Sequence, residues 1–227
     1  MYILALDTST ATLALALLDD RKVLAEGFWD LGVNHSQVLL PALEGMLKVA
    51  GLTIGQIELF ACTIGPGSFT GIRIGISTIK GFALATGRPI AGISTLDALA
   101  GDAATDTMMV CPMLDARKGQ VYAALYKPDE AGLEKLAGDQ LTEVGPFVRA
   151  ISREVLFLGD GALCHARSIQ AVLGSRAHFA APHRHHVSAS SVGLLGLQKY
   201  LDGEFLDPLT FTPRYLRLSE AEARGRL

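Results

Sequence analysis

Two stretches place an aspartate where a strand should end and a polar turn begin: Asp7-Thr8-Ser9-Thr10 and Asp115-Ala116-Arg117-Lys118. At such a turn, backbone N–H groups and hydroxyls can cradle a phosphate, and the carboxylate can hold magnesium through water. Asp7, Thr8, Ser9, Thr10 and Asp115 are therefore the candidate nucleotide residues. Neither turn is well made for the task. No Gly lies between Asp7 and Thr12 to let a phosphate come close. In the second turn the side chains of Ala116, Arg117 and Lys118 obstruct the path, although the two positive charges could attract phosphate. A Ser/Thr turn that satisfies its own backbone is the plainer account of the first. Gly159-Asp160-Gly161-Ala162 matches an adenosine-contacting turn only faintly, since two Gly after a strand occur in many loops.

The metal and nucleophile candidates are thinner. His35 opens a helical stretch, and a metal pair there needs a second His four residues on, because positions i and i+4 share a face. That position holds Leu39. His183-Arg184-His185-His186 has a cation in its midst, which disfavours a bound metal. Gly67-Ser68-Phe69-Thr70-Gly71 is not a serine elbow, since Pro66 stands where that elbow needs Gly. No metal site and no catalytic residue are expected.

The bulk composition narrows the partners. The chain has 227 residues, 49% hydrophobic and 19% charged, with a net charge of −3. Unaided tight grip on nucleic acid normally needs a basic excess, which is lacking. The apolar excess must enter a large core or a surface meant for a partner. No apolar run is long enough to span a membrane, and the N-terminus lacks a secretory signal's basic start. Cys62, Cys111 and Cys164 are far apart and read as free, mostly buried thiols of a reducing, cytoplasmic setting.

The elements that must carry these residues follow from periodicity and turn chemistry. Short apolar runs over residues 2–6, 12–18 and 22–29 predict a three-strand antiparallel meander. Asn34 caps a helix over 35–50 that stops at Gly51. A strand over 58–64, a helix over 70–86, a strand over 90–93 and a helix from Leu96 complete the first half. The small, polar stretch 101–107 reads as a boundary. The order then restarts, with strands over 108–114, 120–126 and 133–141, a helix over 145–151, a strand over 155–158, a helix through Val172, a short strand over 178–180 and a last helix over 188–201. This is an α/β chain in two subdomains, 1–104 and 105–227, with the last helix and tail free to pack back on the first. Duplicated βββαβαβα order is that of the actin-like (ASKHA, ribonuclease-H-like) fold.

Helix surfaces carry the remaining information. On a wheel of about 100° per residue, the apolar residues of 35–50 spread over roughly 200°, where a surface helix needs a stripe of about 100° or somewhat more. The surplus predicts burial inside the monomer or a cover from a partner helix. In the next helix Gly71 and Gly75 let another backbone come close, Ile72, Ile76 and Ile79 form an apolar ridge, and Arg73, Ser77 and Lys80 form a polar rim. Two such helices suit a helix-bundle interface.

Several motifs together resemble one family. They are Leu6-Asp7-Thr8-Ser9, Asn34-His35-Ser36, Gly65-Pro66-Gly67-Ser68-Phe69-Thr70-Gly71-Ile72-Arg73-Ile74-Gly75, Ser94-Thr95-Leu96, Asp115-Ala116-Arg117-Lys118-Gly119-Gln120-Val121-Tyr122 and Pro213-Arg214-Tyr215-Leu216-Arg217. They look like the TsaB (YeaZ) family, over most of the chain from Ile3 to about Arg217. The resemblance implies a cytoplasmic, non-catalytic paralogue of TsaD, the transferase of tRNA threonylcarbamoyladenosine formation. It implies helix-bundle contact with TsaD through the first-domain helices, a further TsaE ATPase partner, and homodimers through the same surface when alone. ATP and metal are then expected on the partner subunits, and tRNA is reached only through the complex.

These expectations are specific. His35, Leu39, Leu43, Met46, Ile72, Arg73, Ile76, Ile79 and Lys80 are the expected partner-binding residues. Leu39→Glu or Ile76→Glu is expected to leave the monomer folded and to weaken association. Arg214, Arg217, Arg224 and Arg226 are candidate tRNA contacts in the tail, with a solvated tail as the plainer account. The alternative is an ATP-dependent small-molecule kinase of the same fold, with ATP near Asp7 and Asp115.

Overall fold

In a computed structural model of the protein, residues 1–30, 32, 34–101, 103, 107–130 and 132–217 are described. Arg224 and Arg226 lie outside them, as does part of the expected boundary over 101–107. The described chain forms two compact units, Met1–Ala98 with Val187–Arg214, and Leu99–His186 with residues 215–217. Sequence order alone divides the chain at 104/105.

In the first unit β1 (Tyr2–Asp7), β2 (Leu13–Asp19) and β3 (Val23–Trp29) form the meander. They are followed by α1 (His35–Ala50), β4 (Leu59–Gly65), α2 (Phe69–Thr86), β5 (Ile90–Ser94) and the start of α3 (Thr95–Gly101). The sheet order is β3-β2-β1-β4-β5, with β1, β4 and β5 parallel. The helices form where expected. Asn34 Oδ1 accepts from the Ser36 N–H to cap α1, and Gly51 ends it in a left-handed conformation at φ 68°. Ser68 caps α2 by accepting from the Gly71 N–H.

Both faces of this sheet are covered, so β1 and β2 read as unbroken apolar runs. Leu4, Leu6, Leu13, Leu15, Leu17, Phe60 and Cys62 pack with α1 and α2 into one core. The other face receives α7 (Ala189–Leu201), which lies across β1, β2, β4 and β5. That face is lined by small residues. A Cβ on Gly193 would lie 2.5 Å from Leu18 Cδ1, and one on Gly196 would lie 2.6 Å from Ala61 Cβ. Glycine therefore lets this helix sit against the strands. Its start is held from the sheet edge, where the Glu26 carboxylate accepts from Ser188 Oγ, Ser190 N and Ser190 Oγ. A carboxylate at a helix N-terminus is stabilising by about 0.3–1 kcal/mol.

The second unit repeats the order with β6 (Met109–Asp115), β7 (Gln120–Asp129), β8 (Gly132–Glu143), α4 (Val144–Arg149), β9 (Val155–Leu158) and β10 (Ala177–Phe179), arranged β10-β9-β6-β7-β8. The single helix expected up to Val172 is two, α5 (Asp160–Cys164) and α6 (Ala166–Leu173). They part at His165, whose φ of −108° and ψ of 11° are not helical. Cys62 and Cys111 are buried and Cys164 is exposed.

Candidate functional site

β1 delivers Asp7 to a fully buried position. Its Oδ1 accepts from Ser9 N at 3.1 Å, Ser9 Oγ at 2.6 Å and Thr63 Oγ1 at 2.5 Å. Its Oδ2 is also buried and has no hydrogen-bond partner. Burial pushes the carboxyl above its ordinary value, against the pull of the Ser9 and Thr63 hydrogen bonds and the His35 charge. Beside it, burial and the Asp7 charge push the Cys62 thiol up to about 12.

The turn after Asp7 is closed by the loop that follows β4. Ser68 N donates to Ser9 O at 2.6 Å, and Thr8 Oγ1 donates to Gly71 O at 2.8 Å. A Cβ on Gly67 would overlap the Ser9 carbonyl oxygen, one on Gly71 the Thr8 carbonyl oxygen, and one on Gly75 the Thr8 hydroxyl. Here glycine does not bring a phosphate close; it brings the protein's own backbone close. Thr8 and Ser9 are buried with Asp7. Asp7, Thr8 and Ser9, expected as nucleotide contacts, are buried instead: Asp7 Oδ1 is held by Ser9 and Thr63, the Ser9 hydroxyl by Asp7 and the Thr8 hydroxyl by Gly71 O. Thr10 is half-buried; its hydroxyl meets that of Thr12 at 2.8 Å, and its carbonyl faces His35 Nε2 at 2.9 Å.

His35 is thereby a half-buried residue that ties the start of α1 to the turn. Five residues expected on a partner surface are interior instead. Leu39, Leu43, Ile72, Ile76 and Ile79 are each no more than 4% exposed. Val38, Ala42, Met46 and Leu47 pack partly buried around them, together with Leu24 and Trp29 of β3. The wide apolar arc of α1 is used up this way, because the helix lies on a sheet whose edge strand closes over one flank. A glutamate at Leu39 or Ile76 would bury an unpaired charge, so the expectation that such variants stay folded is withdrawn. Lys80 is also engaged at home: its Nζ donates to Phe211 O at 2.7 Å and lies 4.4 Å from that ring's centroid. Arg73 is exposed and stacks its guanidinium 3.8 Å over the Phe69 ring.

What α1 and α2 leave on the outside is a different set. Leu40 is 55% exposed, Val49 88% and Leu84 55%. Gly45 lies one turn before Val49 on α1 and Gly81 about one turn before Leu84 on α2, and a Cβ at either glycine would meet nothing within 4 Å. Sequence reasoning counted Leu40 and Val49 in the wide apolar arc of α1, at its two flanks, without separating them from the residues that enter the core. The available signal was a glycine in mid-helix, which is destabilising by roughly 0.5–1 kcal/mol relative to Ala.

In the second unit the matching turn opens outward. Asp115 is exposed, and its Oδ1 accepts from Arg117 N at 2.9 Å. Arg117, Lys118 and Gly119 are all left-handed, at φ 60°, 54° and 73°. That conformation costs an L-residue other than Gly roughly 1–2 kcal/mol. Gln120 N donates to Arg117 O and Ala116 N to Gln120 O, closing the hairpin. The Arg217 guanidinium donates to Ala116 O and Gln120 Oε1. Arg217, a candidate tRNA contact in a tail expected to be solvated, is thus a brace for the hairpin. The Arg214 N–H donates to Ile64 O at 2.7 Å. Asp160 Oδ1 accepts from Asp115 N and Gly161 N, and a Cβ on Gly161 would lie 2.6 Å from the Leu114 carbonyl carbon. The Gly159–Gly161 turn is therefore packed on the end of β6. His185 sets its two ring nitrogens against the carbonyls of Gly159 and Ala180. Among the described residues, no three His, Cys, Asp or Glu gather as a metal site, and no helix is long and apolar enough to cross a membrane.

Comparison with known proteins bears on the whole chain. The family described as "TsaD: tRNA N6-adenosine threonylcarbamoyltransferase" matches residues 31–224. The tRNA threonylcarbamoyladenosine biosynthesis protein TsaB of Bacillus subtilis is 35% identical, covering 99% of this chain and 97% of its own. The crystal structure of YeaZ from Pseudomonas aeruginosa superposes with a TM-score of 0.80 at 26% identity, over 94% of this chain and 100% of that one. A 2-hydroxyglutaryl-CoA dehydratase component of Acidaminococcus fermentans, at 12% identity, shares the fold with a TM-score of 0.53, over 88% of this chain and 99% of its own. The fold is the actin-like α/β fold.

Proposed function

The chain belongs to the TsaD-type family and, within it, to the TsaB proteins of tRNA threonylcarbamoyladenosine biosynthesis, and on that premise we propose that it is a non-catalytic subunit that docks and activates a TsaD-like paralogue. The docking face is the outer side of α1 and α2. The observation that carries this reading is an exposed pair on each helix, Gly45 with Val49 on α1 and Gly81 with Leu84 on α2, each pair lying about one turn apart on one side of its helix. Two mid-helix glycines with no intramolecular reason leave room for another helix backbone, and the apolar side chains around them supply the desolvated centre of a contact. A paralogue with the same fold offers helices at equivalent places, so the pair forms a bundle. In the absence of that partner the same face serves self-association.

Two features support an inert role. Leu39 occupies the position where a helical metal pair would need its second His, and it is committed to the core. The Asp7 turn is buried, with one carboxylate oxygen held by Ser9 and Thr63 and the Thr8 hydroxyl given to Gly71 O. ATP, metal and the chemical step then reside on the TsaD-like and TsaE-like subunits, in the cytoplasm, and tRNA is engaged by the complex.

The test compares outer and inner positions of the same helices. Val49→Glu combined with Leu84→Glu is expected to leave the thermal midpoint within a few degrees of the parent and to weaken binding of the TsaD-like subunit at least tenfold. Leu39→Glu is expected to unfold the first unit. Calorimetric titration and ultracentrifugation measure both. Undiminished partner binding by the folded double variant defeats the docking face, and micromolar magnesium-ATP binding by the isolated chain defeats the inert reading.

A further inference from the structure

We infer that the tip of the β6–β7 hairpin is a contact for the RNA backbone, in which Arg117 and Lys118 pair with phosphates. The inference rests on the reading that the chain works within a tRNA-modifying complex.

The first observation is conformational. Three consecutive residues at the tip are left-handed, and two of them are long cations where glycine or asparagine would sit without strain. Strained backbone of this kind gathers where a side chain must be aimed at something. The second is exposure. Both residues are exposed, and among the described residues neither side chain has a carboxylate in ion-pair contact. The local acids are otherwise engaged. Asp115 Oδ1 holds the Arg117 backbone N–H, and Asp160 Oδ1 holds the Asp115 and Gly161 N–H groups.

The third observation is rigidity. The strand partners, the two-fold grip of Arg217 on Ala116 O and Gln120 Oε1, and the Asp115 turn hold the tip from several sides. A tip fixed before binding loses little freedom when it docks. Arg217 also adds a third positive charge beside the pair. In a chain of net charge −3, phosphate contacts must come from such a local group rather than from a basic face. Guanidinium and ammonium groups on neighbouring residues suit successive phosphates: the first as a planar fork, the second as a point charge.

The experiment uses the full chain, alone and assembled with its TsaD-like partner, and a labelled unmodified tRNA transcript. The variant is Arg117→Asn with Lys118→Asn, because asparagine accepts the left-handed conformation and removes both charges. At about 50 mM salt the assembled variant should bind the transcript three- to tenfold more weakly. The slope of log K against log salt should be shallower by about one to two. Its thermal midpoint should equal or exceed the parent's, and its affinity for the TsaD-like subunit should be unchanged. Unaltered RNA affinity and salt slope overturn the inference. Loss of partner binding with unaltered RNA affinity also overturns it and makes the tip a contact for an acidic protein surface. If the parent chain fails to bind the TsaD-like subunit at all, the subunit reading falls, and the same salt slopes on the chain alone still decide the hairpin.

Discussion

The two units treat the same topological point in opposite ways. In each, the first strand ends at an aspartate, and a glycine-bearing turn after the parallel neighbour strand is pressed onto that end. After β1 the clasp is complete: Asp7, Thr8 and Ser9 vanish beneath the loop at 65–71 and the start of α2. After β6 the clasp of Gly159–Gly161 takes only the last residues of the strand, and the chain beyond Asp115 stands out as a strained, charged hairpin. A shared frame thus sets where an aspartate stands. The loop that follows the parallel strand decides whether that aspartate becomes part of the core or of the surface.

The largest test of this comparison is to add a methyl group to each clasp. Gly71→Ala forces a Cβ into the Thr8 carbonyl, and Gly161→Ala forces one against Leu114 and Asp115 backbone. Each should destabilise its unit by about 3 kcal/mol, because backbone cannot yield as a flexible side chain can. Urea unfolding read by a probe in each unit measures this. A mild effect at Gly71 with a full effect at Gly161 would mean that the first turn is looser than its burial suggests.

The next test is electrostatic. The Asp7 carboxyl is raised by burial above its ordinary 3.8. A carboxyl raised in the folded state adds stability below its unfolded value and loses that contribution as pH rises through its folded value. The parent should therefore lose stability relative to Asp7→Asn as pH climbs from the ordinary carboxylate range. Parallel pH profiles of denaturant midpoints for parent and variant would break the account.

The smallest effects belong to the hairpin. Lys118→Gly should stabilise the protein by about 1 kcal/mol by relieving a left-handed L-residue, and Gly119→Ala should destabilise it by a similar amount. Thermal midpoints read both; a loss of stability in Lys118→Gly would show that its side chain holds the tip.

The order of elements was legible because alternation, helix caps and Gly stops are local. Asn34, Gly51 and Ser68 do in the structure what their types suggest. The division of α5 from α6 was not legible, since nothing about His165 as a residue type announces a break. Nor was the fate of the α1 arc. A wheel gives the width of an apolar stripe but not the edge strand, with Leu24 and Trp29, that covers its flank. The exposed residues Leu40 and Val49 stand at the two flanks of that same arc, half a turn apart, and the wheel alone does not mark them as exposed. The glycine motif at 65–71 was conspicuous, yet its reason, backbone packed on the backbone of residues 8 and 9, joins segments some 60 residues apart.

The grip of Glu26 on the start of α7 has a consequence for how the protein is made. A residue among the first thirty cannot find its hydrogen-bond donors until residues near 190 exist. One face of the N-terminal sheet must wait, half-bare, on the nascent chain. The intervening span from Leu99 to His186 is nearly self-sufficient and can close first, even though it is translated second. During synthesis the leading half therefore waits for most of the chain to be made, and the apolar face awaiting α7 is what a chaperone would need to shelter.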